Sequence, residues 1–386
     1  MLRALYSGIS GLRSHQTMLD VTGNNIANVN TTAFKGSSVE FQDTLSQLVR
    51  NSTLPQDDAG GSNPAQVGLG VQVAAISTNF AQGAAQSTGV PTHLMIAGDG
   101  FFVVRSGAET GYTRNGAFSF DAEGRMITSD GGFVQGWTAQ DGVIAPGAGT
   151  GNITLPVGAV SGAVATSSAR VTGNLPSDAA LGSEIVRDVT VYDAEGTADT
   201  LALTFTRTAG GWSVATDGGA TTDLAFTDGE LTAGGTLAAG PITIDLSALT
   251  GYAELSTVAI TEQDGREAGT LQSYALSEDG SLVGTFSNGE TQVLARVALA
   301  TFVNPAGLEK AGSSQYRPTV NSGQAAIGEA GVDGMGKLIS GALEMSNVDL
   351  SQEFTNLIVA QRGFQANARI ITTSDEVLQE LTNLKR

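Results

Sequence analysis

Residues 350–381 read LSQEFTNLIVAQRGFQANARIITTSDEVLQEL, and this stretch decides the fold because its large apolar side chains recur every seven residues. The repeating positions are Leu350, Leu357, Phe364, Ile371 and Leu378. A repeat of seven is typical of a helix that packs one face against another helix. We therefore expect a long C-terminal helix, whose first backbone N–H groups Asp349 or Ser351 could cap.

A shorter repeat of the same kind lies at the other end of the chain. Its positions are Leu5, Leu12, Leu19 and Ile26, with Leu2 and Ile9 between them. The repeat stops at the asparagine-rich run 24–30, which predicts a helix of roughly 40 Å at about 1.5 Å per residue. Because neither helix is stable alone, we expect the two to pair and neighbouring copies to complete the apolar seam. An intramolecular helical hairpin explains the periodicity equally well.

Between the two ends the apolar period changes from seven to two. Alternating segments include residues 118–120, 189–191, 201–205, 212–214 and 242–246. Asp-Gly and Asn-Gly pairs, which favour hairpin turns because Gly tolerates positive φ, separate many of them. The predicted fold class is therefore α+β and mainly antiparallel β, with nested discontinuous β-domains and coiled-coil-type helices at both ends.

Changes in composition along the chain predict four structural parts. We expect a terminal helical domain (1–30 and 350–386), a linker or arm (31–70 and 341–349), a core β-domain (71–145 and 262–340) and an inserted β-domain (146–261). The Gly- and Pro-containing stretch 57–64 and the Gly/Ala-rich stretch 141–165 mark two of the boundaries.

The charge of −19 is unevenly placed along the 386 residues. Residues 1–50 carry four basic and three acidic groups, and residues 337–386 carry five basic and six acidic groups, so the middle holds the excess of acid. An acidic middle repels nucleic acid, which we do not expect as a partner. The chain has no cysteine, and its start has no apolar run typical of a cleavable signal peptide.

No segment predicts enzymatic chemistry. Residues 331–338, GVDGMGKL, approach the phosphate-binding loop but lack the hydroxyl residue that ligates Mg²⁺. His15 and His93 lie in different elements and without metal-ligand spacing. Asp121 and Asp193 begin short acidic stretches that fit hairpin turns better than calcium loops. We expect no catalytic residue, cofactor, metal or small-molecule substrate.

Three segments together resemble the flagellar axial proteins, the family of rod and hook subunits. The first is NNIANVNTTAFK at 24–35, with Asn24, Asn25, Asn28, Asn30, Phe34 and Lys35. The second contains LMIAGDGFFVV at 94–104 and YTRNGAFSFDAEG at 112–124, where Arg114, Asn115 and Gly116 are expected to form a hairpin turn. The third joins GALEMSNVDL at 341–350 to IVAQRGFQAN at 358–367.

The resemblance implies a structural protein. Rod members are similar at both ends but shorter, so the inserted domain and the segment FVQGW at 133–137 favour the hook members. By resemblance, many copies form a flexible tube that transmits torque as a universal joint, outside the cell. The implied partners are other copies, the distal rod, hook cap and hook–filament junction proteins, and the flagellar type III export apparatus. A distal rod subunit, or an extracellular β-rich adhesin, is the alternative.

The residues that would form the tube wall combine the two apolar repeats with one polar position. They are Leu5, Ile9, Leu12, Leu19, Ile26, Leu350, Phe354, Leu357, Gln361, Phe364, Ile371 and Leu378. The resemblance also suggests export recognition by a Phe-x-x-x-apolar element, which Phe41 and Leu45 match. An amphipathic turn of a helical arm explains that pair equally well.

Overall fold

Both predicted helices are present, in a computed structural model that describes residues 2–52, 61–140, 142–145, 149–156 and 158–383. Helix α1 spans Leu2–Ala27 and helix α2 spans Leu350–Asn383. Asp349 caps α2, as expected, because its Oδ1 accepts hydrogen bonds from the N–H of Ser351 (2.8 Å) and of Gln352 (3.3 Å). Neither α1 nor α2, the helices of the described residues long enough to be tested, is apolar enough to cross a membrane.

The strands are numbered in chain order. The first group is β1 (Ser37–Asp43), β2 (Ser46–Arg50), β3 (Ala65–Gly68), β4 (Val71–Thr78), β5 (Ala85–Ser87), β6 (Leu94–Ala97), β7 (Phe101–Ser106), β8 (Glu109–Thr113), β9 (Phe118–Phe120), β10 (Met126–Thr128), β11 (Phe133–Thr138) and β12 (Gly151–Asn152). The second group is β13 (Val160–Ser161), β14 (Ser168–Asn174), β15 (Glu184–Tyr192), β16 (Ala198–Thr208), β17 (Gly211–Thr216), β18 (Thr221–Thr227), β19 (Glu230–Ala233), β20 (Thr236–Ala239), β21 (Ile242–Thr250) and β22 (Ala259–Gln263). The third group is β23 (Gly269–Leu276), β24 (Ser281–Phe286), β25 (Thr291–Val297), β26 (Leu299–Thr301), β27 (Glu309–Gly312), β28 (Gln315–Arg317), β29 (Ala326–Gly328), β30 (Lys337–Ser340) and β31 (Ala342–Glu344).

The chain divides into two compact units. The first comprises Met1–Leu155, Ala275–Leu282 and Val293–Arg386, and the second comprises Pro156–Tyr274 and Val283–Gln292. The second unit begins and ends later than the insertion predicted at 146–261. The segment 31–70, predicted as a linker or arm, contributes β1, β2 and β3 to the first unit.

The first unit is built on the antiparallel strand order β11-β7-β8-β28-β27. One face of these strands carries an aromatic core in which Phe101 meets Phe302 edge to face, with 5.8 Å between ring centroids, and Tyr112 meets Phe302 at 4.8 Å. Such pairs contribute beyond the area they bury. The first unit also contains the two-stranded ribbons β1–β4, β2–β3, β5–β31 and β6–β30.

The second unit is a nine-stranded sheet in the order β15-β16-β17-β18-β19-β21-β14-β22, with β20 paired to β21. Its strands pair antiparallel except for β14 with β21, which is parallel. Trp212, Phe205 and Leu203 are fully buried in its core. The Asp264 carboxylate ties the unit together by accepting hydrogen bonds from the N–H and hydroxyl groups of two serines, 167 and 168.

The predicted period-two segments are confirmed, and so is one of the predicted turns between strands. All five alternating segments lie in strands β9, β15, β16, β17 and β21. Asp228 and Gly229 have φ of 54° and 85° and connect β18 to β19, as an Asp-Gly hairpin should. The turn between β27 and β28, where Ser313 and Ser314 both have positive φ, holds no Asp-Gly or Asn-Gly pair and was not predicted.

Candidate assembly interface

Helices α1 and α2 pack closely because small residues lie between them. A Cβ placed on Gly11 would be 2.7 Å from the Oδ1 of Asn367, and one on Gly363 would be 2.5 Å from the ring of His15. Ala360 and Ser14 are also buried. Residues without bulk allow the two backbones to approach, and large side chains such as Ile371, which would lie 3.3 Å from a Cβ on Gly8, pack beside them.

The large apolar residues of the helix pair are left partly or wholly uncovered. The exposed ones are Ile9, Leu350, Phe354, Ile358, Val359, Ile370, Val377 and Leu381, and Gln361 is exposed beside them. Half-buried positions are Leu5, Leu12, Leu19, Ile26, Leu357, Phe364, Ile371 and Leu378. Phe354, Ile358 and Val359 each expose more than half of their surface, as do Leu381 and, on α1, Tyr6. Apolar surface on this scale marks a binding face.

The asparagine run forms the C-terminal end of α1. Asn25 is buried and hydrogen-bonds the backbone of Ser37 twice, from Nδ2 to the carbonyl (2.8 Å) and from the Ser37 N–H to Oδ1 (3.0 Å). Asn28 donates to the carbonyl of Asn24 at 2.9 Å. Asn30 is exposed. The side-chain amides thus replace helical hydrogen bonds and direct the chain from α1 into β1.

A fully buried ion cluster fixes the segment after this run to the β-structure. Lys35 Nζ lies 2.6 Å from Glu344 Oε1 and donates to the carbonyl of Ala81 at 2.7 Å. Arg114 Nη1 lies 3.6 Å from Glu344 Oε2, and its Nη2 donates to the carbonyl of Gly98. All three charged side chains are at most 3% exposed. The cluster therefore joins five separate segments of the first unit.

The cluster holds two cations and one anion. Burial lowers the pKa of Lys35, and Arg114 adds to this effect, whereas Glu344 opposes it. Lys310 supports the same segment by donating to the carbonyl of Lys35 (3.1 Å) and by lying 5.0 Å from the ring centroid of Phe34. Burial lowers the pKa of Lys310 as well. The net buried charge makes this group energetically sensitive to substitution.

The hairpin turn predicted at Asn115 and Gly116 is wrong. Strand β8 pairs with β7 and β28, and β9 pairs with β10, so residues 114–117 connect two strands that are not partners. Arg114 is drawn inward to the ion cluster instead. Gly116 packs its backbone against Leu94, where a Cβ would lie 1.7 Å from the Leu94 carbonyl oxygen. Glycine is needed for close approach and not for a turn.

The two candidate export residues lie on a bent hairpin beside α1. Phe41 is in β1, with its ring 5.7 Å from that of His15, and Leu45 lies between β1 and β2. Both are exposed, Leu45 by 85%. Thr44 marks the bend by donating to the carbonyl of Gly70 from its N–H and its hydroxyl. The alternative explanation, a helical arm, is wrong because this segment is extended.

Sequence reasoning missed the residues that make the close contacts. Glu344 pairs with Lys35 across 309 positions, and no local pattern signals that pairing. Gly8 and Gly11, in contrast, could have been found from the sequence, because small residues three apart on a helix indicate a close contact with another helix. The heptad pattern drew attention to the large residues instead.

Comparison with known proteins agrees with this arrangement. Three family models match, described as "Flagella basal body rod protein" (residues 5–35), "Flagellar hook protein FlgE/F/G D1 domain" (95–168) and "Flagellar basal body rod FlgEFG protein C-terminal" (339–384). The chain is 38% identical to the flagellar hook protein FlgE of Borreliella burgdorferi and 38% identical to that of Treponema pallidum, each over 100% of both chains. It is 34% identical to the flagellar basal-body rod protein FlgG of Bacillus subtilis, also over 100% of both.

A solved structure shares the fold. The crystal structure of Helicobacter pylori flagellar hook protein FlgE2 superimposes with a TM-score of 0.51 at 14% identity, over 67% of this chain and 100% of that one.

Proposed function

Because this chain belongs to the flagellar hook protein family, we propose that its copies polymerise through the exposed apolar residues of α1 and α2 into a flexible tube. The chain is a structural subunit of the flagellar hook. The alternative of a rod subunit has less support, because the two relatives at 38% identity are hook proteins, whereas the rod protein is 34% identical. We assign the chain a mechanical role and no chemical reaction.

The observation that carries the proposal is the seam between the helices. Within one chain the helix contact leaves most repeat positions only partly covered, and it leaves Phe354, Ile358 and Val359 more than half exposed. Burying one such side chain contributes about 1.5–3 kcal/mol. Each copy would bury several such side chains against its neighbours. Summed over the copies, this burial supplies enough free energy to hold a polymer together. A contact that does not close on itself gives an open helical assembly.

The layers of the chain then take different places in the tube. We propose that the helical domain (1–30 and 350–386) lines the channel, that the arm and core β-domain form the middle wall, and that the inserted domain (146–261) faces outward. The charge distribution supports this order, since the ends are nearly neutral and the middle carries the acid. Strong inner and weak outer contacts would let the tube bend while it transmits torque.

The finer partners belong to the same proposal. An axial position implies contact with distal rod, hook cap and hook–filament junction proteins. Export through the flagellar type III apparatus would place the subunit outside the cell. Phe41 and Leu45 support this step, because a receptor could reach both of their exposed side chains.

The test compares polymerisation with monomer folding. Phe354→Asp combined with Ile358→Asp places two charges among the exposed apolar residues of α2, whereas Phe354→Leu combined with Ile358→Leu keeps both positions apolar. We expect the purified wild-type chain and the double leucine variant to form curved tubes in electron microscopy. The double aspartate variant should stay monomeric and melt normally, because both residues are already half exposed.

Normal tubes from the double aspartate variant would contradict the proposed interface. Failure of the wild-type chain to form tubes under any condition would contradict polymerisation itself. An adhesin would instead bind glycans through the second unit and show no tubes.

A further inference from the structure

One exposed side of helix α2 carries charges of both signs in two separate halves. Arg362, Arg369 and Glu376 are spaced by seven residues, which places them on the same side of the helix. Glu380 follows Glu376 by one helical turn. All four side chains are exposed, whereas Asn367, which contacts α1, lies on a different side. These four residues are named the charged row, and its basic half precedes its acidic half.

The charged row makes no ion pair within its own chain. In the part of the chain that the structure describes, every ion pair joins residues between 35 and 344, so none involves a charged residue of α1 or α2. Glu376 and Glu380 also repel each other, and both lie near the C-terminal end of α2, where the helix dipole disfavours acid. A cation from outside the helix would therefore stabilise this end of α2.

An axial offset between parallel helices brings the two halves of the row together. Copies in a helical tube point the same way along its axis, so neighbouring α2 helices are parallel and differ in axial position. Without an offset, each charge meets the same charge of the neighbour, and an offset of seven residues places Arg362 beside Arg369. Arg369 and Glu380 are 11 residues apart, and Arg362 and Glu376 are 14 residues apart. An offset within this range, about 17–21 Å at about 1.5 Å per residue, pairs both arginines with acid.

This offset fits the length of α2 and the exposed apolar surface beside the row. Because α2 has 34 residues, two copies offset by 14 residues still lie side by side over 20 residues. Ile358 is 53% exposed and lies one helical turn before Arg362, so the row continues the apolar surface. Apolar contacts supply free energy but do not select one axial position, whereas complementary charges fix the register between two surfaces.

We propose that the charged row of α2 pairs with the charged row of α2 in a neighbouring copy, and that this pairing sets the axial offset between copies. The inference rests on the proposed function, which makes a second copy the partner. The arginines of one copy bind the glutamates of the neighbour. Exposed ion pairs are individually weak and are screened by salt, so they select the position while the apolar residues hold the polymer together.

Charge reversal tests the pairing directly. The acidic variant carries Arg362→Glu and Arg369→Glu. The basic variant carries Glu376→Lys and Glu380→Lys. Each variant alone has a row of one sign, and its critical concentration for polymerisation should rise on the order of tenfold. Mixed in equal amounts, the two variants should copolymerise near the wild-type critical concentration, and a single chain with all four substitutions should do the same.

A matched control separates pairing from overall charge. Asp217→Lys combined with Glu230→Lys changes the net charge by the same amount as the basic variant, at two exposed positions of the second unit. This control should polymerise as the wild-type chain does. The melting temperature of every monomer should change little, because all of the substituted side chains are exposed. Added salt should bring the critical concentrations of the acidic and basic variants closer to that of the wild-type chain.

Helical reconstruction from electron micrographs measures the offset between neighbouring α2 helices, which should be about 17–21 Å. An offset that aligns arginine with arginine would overturn the inference, and so would normal polymerisation of the acidic variant alone or failure of the mixture to copolymerise. Rescue of the basic variant by Arg3→Glu with Arg13→Glu, instead of by the acidic variant, would assign the partner surface to α1 and overturn it as well. If the wild-type chain forms no tubes, the proposed function fails instead, and the two failures are therefore distinct.

Discussion

Glu344 offers the sharpest test of the buried ion cluster. With Lys35, Arg114 and Glu344 all ionised, the cluster carries a net charge of +1 in a site without solvent access. Glu344→Gln preserves the shape of the side chain and raises the buried charge to +2. Lys35→Met removes the same 2.6 Å ion pair but lowers the buried charge to zero.

Charge counting gives the magnitudes. Removing the only anion leaves two uncompensated buried cations, and we expect Glu344→Gln to lower the free energy of unfolding of the first unit by about 3–5 kcal/mol. Lys35→Met loses the hydrogen bonds to Glu344 and to the Ala81 carbonyl but leaves Arg114 matched by Glu344. We expect a smaller loss of about 1–3 kcal/mol. The decisive result is which of the two variants loses more free energy of unfolding.

Denaturant unfolding followed separately for the two units measures these losses. The second unit should unfold as in the wild-type chain. Glu109→Gln is the matched control, because Glu109 pairs with Arg317 on the surface of the same unit with 68% of its side chain exposed. It should cost less than about 1 kcal/mol. If Lys35→Met proves as costly as Glu344→Gln, the reasoning from net buried charge is refuted.

Two further predictions concern the helix seam and the second unit. Gly11→Ala should lower the melting temperature of the helical circular dichroism signal, with a cost of about 1–2 kcal/mol, because its Cβ would collide with Asn367. Gly23→Ala on the same helix meets no atom within 4 Å and should stabilise α1 by about 0.5–1 kcal/mol; equal effects of both would contradict the close seam. For Asp264, burial raises the pKa, but the serine hydrogen bonds outweigh this and hold it well below the usual 3.8. The carboxylate form therefore stabilises the second unit fully above pH 3.8 and loses this contribution as the pH falls. Asp264→Asn should unfold more easily than wild type at pH 7 and approach it at pH 2, and a constant difference across that range would contradict the assignment.

The sequence predicted the elements whose cause is local. Heptad spacing located both helices, and the cap at Asp349 follows from a side chain beside the first turn. Alternation located strands such as β16 and β21, because each side of a strand meets a different environment. The same local rule correctly indicated the turn at Asp228 and Gly229.

Local rules failed where a distant part of the chain decides the outcome. Asn115 and Gly116 have the composition of a hairpin turn. Burial of Arg114 beside Glu344 instead holds the segment in a connection between two strands that do not pair with each other. The export candidates Phe41 and Leu45 also fitted a helical turn, but pairing of β1 with β4 makes the segment extended.

The sequence by itself therefore determined that the chain has apolar helices at both ends and an antiparallel interior. Only the tertiary structure decided which residues the helices use against each other. Glycine allows two backbones to approach closely, and the contact accordingly falls on Gly11 and Gly363 while bulky residues such as Phe354 stay exposed. The apolar period in the sequence shows which side of a helix is apolar. How closely two helix backbones approach depends on both helices together, and therefore only the tertiary structure decides it.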